Sequence, residues 1–158
     1  MSKTDLEISL PSDREISMAR SFDAPREMIF KAYTTPELLK RWLVPFDSEF
    51  AVCEVDLRVG GKLRLLWRME GQPDLGLTSI FKEIVPSERL VATEIFDGGA
   101  ESLSTLIFKE RGGRTEMTNT ILYDSKETRD FVLKTGMSTG VSDAYDKLET
   151  LLATMPVA

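Results

Sequence analysis

Val141-Ser142-Asp143-Ala144-Tyr145-Asp146-Lys147-Leu148-Glu149-Thr150-Leu151-Leu152 sets Val141, Ala144, Tyr145, Leu148, Leu151 and Leu152 three and four residues apart, and Met155 extends the series. That spacing draws one apolar stripe down an α-helix. Upstream the run continues without proline to Asp124, and Pro156 closes it, so one long C-terminal helix is expected over 124–155. Asp124 or Ser125 can accept from its first free N–H groups, and Glu127 sits at its positive end. Such a helix is on the order of 45 Å long, enough to cross a whole sheet. Its first half is different in kind: Phe131 and Val132 are followed by Gly136, Met137, Ser138, Thr139 and Gly140. A glycine inside a helix costs about 1 kcal/mol relative to alanine, so either a cavity or close contact beneath it, or a kink near 136–140, has to account for the pair.

The stripe needs a surface to cover, and the rest of the chain supplies a sheet. Residues 1–12 are polar and end in Leu10-Pro11-Ser12, which reads as a flexible tail, leaving 13–155 as a single domain. Ile16, Met18 and, after a shift, Phe22 alternate with polar neighbours as in a strand buried on one face. Pro25 then suits a helix start, with Met28, Ile29, Ala32 and Tyr33 at helical spacing. A second start follows at Thr35-Pro36-Glu37, running through Leu38, Leu39 and Trp42 until Pro45 ends it. Beyond Pro45 the period returns to two for about seventy residues. Gly60-Gly61, Gly71 to Asp74, Pro86 to Glu88, Asp97 to Gly99 and Arg111 to Gly113 divide it into six consecutive strands. The expected class is α+β, in the order β-α-α-β6-α: a curved antiparallel sheet of six to seven strands wrapped on the long final helix. A straight rod across a curved sheet leaves a gap, and that gap is the natural ligand site.

Composition excludes several functions. With 42% apolar and 29% charged residues the chain has the profile of a cytoplasmic globular domain, and no apolar run approaches the ~20 residues of a membrane span. Its net charge of -6 offers no basic stripe for a nucleic-acid backbone. There is one cysteine, Cys53, and no histidine. Internal disulfides, His-based nucleophile arrangements and ordinary zinc sites are therefore ruled out, and no metal or cofactor is expected.

The segments Phe22-Asp23-Ala24-Pro25-Arg26, Thr35-Pro36-Glu37-Leu38-Leu39 with Trp42 and Pro45, Asp56-Leu57-Arg58-Val59-Gly60-Gly61, Glu83 to Val91, and Gly136-Met137 with Gly140 resemble the SRPBCC superfamily. The resemblance runs from about Arg14 to Leu152. It is nearest to the homologues of the C-terminal domain of the heat-shock-protein-90 ATPase activator. It implies the helix-grip fold, also called Bet v 1-like or START-like, whose cavity between sheet and C-terminal helix holds hydrophobic molecules in many relatives. Members of this branch often carry a second aromatic and a glycine where this chain has Leu43 and Val44, and a tryptophan where it has Val141. Smaller residues there imply a wider cavity mouth or another ligand preference.

Parity sets Trp67 and Met69 with Leu63 and Leu65, and Met117 and Asn119 with Thr115 and Ile121. With Trp42, and with Met137, Gly140 and Val141 opposite, they form an adaptable, Met-rich lining, or else an ordinary filled core. An inward Asn119 needs partners, for which backbone or water suffices, and a ligand is the sharper alternative. Glu94 belongs to the parity of Ala92 and Phe96. Sequence alone leaves open whether that parity faces inward; if it does, desolvation raises its pKa and makes it the one candidate acid or base. Cys53 reads as an inert apolar group, and Arg58, Lys62, Arg64 and Arg68 as a solvated sheet face. Three functions remain: a binder of a hydrophobic small molecule, a module that touches a heat-shock-protein-90-type chaperone, and a cofactor-free enzyme on a lipophilic substrate. Self-association as a homodimer is compatible with each.

Overall fold

The computed structural model describes residues 5–44 and 47–156. From the N-terminus, β1 (Glu7–Ser9) and β2 (Glu15–Phe22) precede α1 (Arg26–Thr34) and α2 (Pro36–Trp42). Then come β3 (Glu49–Val55), β4 (Lys62–Arg68), β5 (Leu75–Val85), β6 (Arg89–Phe96), β7 (Glu101–Arg111) and β8 (Arg114–Leu122). Two helices, α3 (Lys126–Leu133) and α4 (Met137–Thr154), complete the chain. The strands form one antiparallel sheet in the order β1-β2-β8-β7-β6-β5-β4-β3, so α1 and α2 carry the chain from one side of the sheet to its far edge. Bulges between Phe50 and Val52 and between Phe81 and Glu83 add local bend and twist. This is the helix-grip arrangement.

Three expectations need correction. The segment read as a loose tail contains β1, which pairs with β2 and raises the described strands to eight. Three exposed, mostly polar residues carry too little period-two signal to be seen in sequence. The long helix is two helices: the chain leaves α3 at Leu133 and re-enters a helix only after Gly136, whose φ is 80°. Thr135 N–H and Oγ1 both bond the Val132 carbonyl in that break, so the last carbonyls of α3 are satisfied locally. Ser125 caps α3 by accepting from the Thr128 N–H. Finally, β2 needs no shift of period. Ile16, Met18, Arg20 and Phe22 are all inward and buried, and the residue hidden from a hydrophobicity reading is Arg20, 3% exposed. Pro45, expected to end α2, lies outside the described residues.

Arg20 is tolerable there because its guanidinium donates to Asp146 at 2.8 Å and to Glu149, both on α4, and lies 5.0 Å from the centre of the Phe22 ring. It therefore ties β2 to the final helix. Around it Phe22, Ile29, Leu39, Trp42, Phe108, Met117, Tyr145 and Leu148 form the main core. The Trp42 indole N–H donates to the Ala32 carbonyl at 3.0 Å, and Tyr33 meets the Trp42 ring edge-on at 4.8 Å. The α4 stripe expected from sequence is the buried one: Ala144, Tyr145, Leu148, Leu151 and Leu152.

Candidate functional site

Register fixes which strand residues look into the sheet's concave side. Glu94 lies opposite Ser79 on β5 and Ser102 on β7, while Ala92 lies opposite Phe81 and Ser104. Glu94 therefore shares its face with Leu90 and Ala92, both buried, and the open question of its parity is answered: it points inward. On the next strands Ser104 faces Ile121, and Asn119 faces Leu106 and Met18. The Ser104 hydroxyl donates to Asn119 Oδ1 at 2.8 Å, so a side chain meets the oxygen of the inward amide. Ser79, Glu94, Ser102, Ser104 and Asn119 thus form a polar centre on a face that is otherwise apolar apart from the buried Arg20 and Thr115.

Three apolar clusters surround it. Trp42 and Met117 lie in the main core, with Val141 packed at its edge. Trp67 is buried with Leu65 and Leu77, and its indole N–H donates to the Leu43 carbonyl at 2.8 Å. Met137 packs with Ile16, Met18 and Tyr123, and Val141 touches this group also. Met69 falls just beyond the end of β4 and is half-buried. Gly140 sits in the first turn of α4, its N–H bonded to the Gly136 carbonyl at 3.3 Å. The lining expected from sequence is therefore distributed over separate clusters, and Glu94 and Asn119 are the two members brought to the polar centre.

The electrostatics single out Glu94. Protein surrounds it densely enough that desolvation alone raises its carboxyl to about 7. Its side chain nevertheless keeps accessible surface, and no described residue gives the carboxyl a hydrogen bond or an ion pair. Tyr33 on α1 behaves similarly: burial, then Tyr145 and Glu94, hold its phenol well above the ordinary value, although the residue is only half-buried. Its hydroxyl lies 3.1 Å from that of Tyr145 on α4. Burial raises Tyr145 and Tyr123 to about 12, and the nearby Glu94 charge adds to both.

Elsewhere the chemistry is plain. Burial raises the Cys53 thiol, whose sulfur lies 3.8 Å from the Pro36 carbonyl oxygen. Arg64 makes a two-armed contact with Asp97 on the outward face, at 2.8 and 2.9 Å. Among the described residues no group of three His, Cys, Asp or Glu side chains is disposed to hold a metal, and no helix is long and apolar enough to cross a membrane. Two recesses, of about 290 and 320 Å³, lie away from the polar centre. One is a charged groove between α2 and α4 lined by Arg41, Asp143 and Lys147, and the other separates the N-terminal segment from Ser138 and Thr139. The wall of the first is internally paired, since Lys147 bonds Asp143 at 3.0 Å and the Val44 carbonyl.

The model of the family described as "Activator of Hsp90 ATPase homolog 1-like protein" matches residues 23–153, most of the chain and all of the elements that form this site except β1 and β2. The chain belongs to that family. A crystal structure of a Rhodobacter sphaeroides protein is similar at 30% identity, covering 96% of this chain and 99% of that one with a TM-score of 0.91. Protein Ms6760 from Mycobacterium smegmatis shares the fold at 22% identity, covering 99% and 100% of the two chains with a TM-score of 0.84. CalU16 from Micromonospora echinospora does so at 21% identity, covering 96% and 86% with a TM-score of 0.64. No curated protein matches the chain. Family and fold together make this a member of the SRPBCC, Bet v 1-like superfamily.

Sequence reasoning missed the hydroxyls and the tyrosine pair of this Hsp90-activator-like protein. A signal for the first was present: Ser79 interrupts the parity of Leu77 and Phe81, and Ser102 and Ser104 that of Leu106 and Phe108. Small polar residues in an inward series mark a place where the face is not simply core. The tyrosines carry no such mark, because Tyr33 and Tyr145 sit at ordinary stripe positions 112 residues apart.

Proposed function

We propose that this protein binds a small, mainly apolar molecule between the concave face of the sheet and the α3–α4 cover, with Glu94 at the polar end of the bound molecule. One observation carries the reading: the Glu94 carboxyl is enclosed by protein yet accessible and without a partner. A buried polar group is normally satisfied from within the fold, and one left open toward apolar walls suits a ligand's polar group. Half-buried Met137 and Val141 at the start of α4 give the cover freedom to adapt, since an unbranched thioether and small neighbours repack cheaply. Of the other residues expected from sequence, Asn119, Met69 and Gly140 belong to this proposal, while Trp42, Trp67 and Met117 are buried in the core clusters. The family's description also allows contact with a heat-shock-protein-90-type chaperone, but the unpartnered carboxyl favours a small molecule.

Titration with the neutral fluorophore N-phenyl-1-naphthylamine tests the reading. Saturable one-to-one binding with a blue shift is expected. Val141→Trp, which fills space between the two clusters it touches, should weaken that binding at least about tenfold while leaving the circular dichroism unchanged. Fluorescence that never saturates, or a Val141→Trp protein that binds as well as the natural chain, removes the proposal.

A further inference from the structure

The small-molecule reading leaves the ligand's class open, and the charges on the concave face narrow it. Arg20 is the sole cation among the described strand residues of concave parity, and Asp146 and Glu149 already claim it. Arg129, the other buried arginine, is engaged by Asp130 and the Ser12 carbonyl. The protein thus neutralises its buried cations from within and leaves one enclosed carboxyl uncompensated. Tyr33 from α1, Tyr145 from α4 and Tyr123 after the end of β8 are the titratable groups that feel the Glu94 charge, and Arg20 of β2 lies near Tyr145. None of them is a free positive charge.

Resting on that reading, we propose that the ligand carries a positively charged nitrogen on an apolar scaffold, the nitrogen seated against Glu94. An enclosed carboxylate without a counter-ion is costly, and a cationic ligand supplies the missing charge where the dielectric is low and attraction strong. An anionic ligand meets the opposite: repulsion from Glu94 and no cation to receive it. A neutral alcohol gains only a hydrogen bond, donating to the carboxylate or accepting from the protonated acid. Its affinity therefore follows pH far less steeply than that of the amine. Because the free carboxyl titrates near 7, raising pH from 6 to 8 ionises it and strengthens binding of an amine that stays protonated throughout.

The test uses three naphthalene compounds of one shape, 1-naphthylmethylamine, 1-naphthylmethanol and 1-naphthoic acid, by calorimetry on the full chain. At pH 8 the amine should bind at least about tenfold tighter than the alcohol, and its affinity should fall about tenfold between pH 8 and pH 6. At pH 6, repeating the amine titration in buffers of different ionisation heat should reveal release of up to about one proton per ligand. Glu94→Gln should remove the amine preference, the pH slope and the proton release together. Equal or tighter binding of the alcohol at pH 8, or a preference that survives Glu94→Gln, overturns the cationic ligand while leaving the cavity reading intact. Preferred binding of the naphthoic acid overturns it as well. If neither these three compounds nor N-phenyl-1-naphthylamine binds, both readings fall.

Discussion

Where α4 packs on Phe22 and the rest of the main core, helix and sheet meet through fully buried side chains, whereas the polar centre of β5 to β8 gathers hydroxyls, an amide and an unpartnered carboxyl. At the first end Trp42, Leu39, Ile29 and Leu148 are all fully buried, and the one inward charge is answered by two carboxylates. At the second, Glu94, Asn119, Met137 and Val141 each keep some exposure, and Phe131 on the covering α3 is 68% exposed. One end spends its apolar surface on stability. The other withholds it, which is the usual pattern where a fold reserves space for something other than itself.

The sharpest way to break this contrast is to damage the filled end. Trp42→Ala removes the largest fully buried side chain and strands the Ala32 carbonyl, and should cost about 3 to 5 kcal/mol in urea unfolding. A cost below about 1.5 kcal/mol would mean that the core relaxes around the hole and that the two ends are not so different.

At the polar end the effect should be smaller and opposite in sign. A folded-state value of about 7 for Glu94 lies above its ordinary 4.5, so the folded protein holds that proton longer than the unfolded chain does. The group's contribution is therefore most favourable below pH 4.5, falls as pH rises toward 7, and stays lost above it. The loss has an upper bound of about 3 kcal/mol, reduced by whatever solvent reaches the carboxyl. Glu94→Gln should match the natural protein near pH 4.5 and exceed its stability by about 1 to 3 kcal/mol at pH 8. A variant less stable than the natural protein at pH 8 would show that the carboxylate is held favourably and that no space is kept open for a ligand. Stability gained together with ligand preference lost is the trade expected of a functional group.

How much of this was legible in the chain divides along the same line. The filled end announces itself, since Ala144, Tyr145, Leu148 and Leu151 follow a helical period and Ile16, Met18 and Phe22 a strand period, and repetition is what a sequence displays well. The polar end depends on pairings that no period encodes. Ser104 meets Asn119 only through the register of β7 on β8, and Glu94 is set between Ser79 and Ser102 of the neighbouring strands and within electrostatic reach of Tyr33 on α1 and Tyr145 on α4. Arg20 is hidden for a related reason: its partners, Asp146 and Glu149, are 126 and 129 residues away, and until they are placed an arginine on an inward parity looks like an error of phase.

The break between α3 and α4 is where the cover changes from one regime to the other, and it yields the smallest effect. Gly136 and Gly140 were equivalent as candidates for a kink, but only Gly136 takes a left-handed backbone, with φ of 80°, while Gly140 stays within α4. A Cβ built on Gly136 meets nothing within 4 Å, so Gly136→Ala carries no steric clash with the rest of the fold and its cost isolates the backbone conformation. That cost should be about 1 kcal/mol, and Gly136→Asn, whose side chain tolerates the left-handed region, should lose roughly half as much. Equilibrium unfolding resolves differences of that size when the slope with denaturant is unchanged. If alanine is as good as glycine here, the chain can run from α3 into α4 as one continuous helix, and the two-part cover is not dictated by the backbone at Gly136.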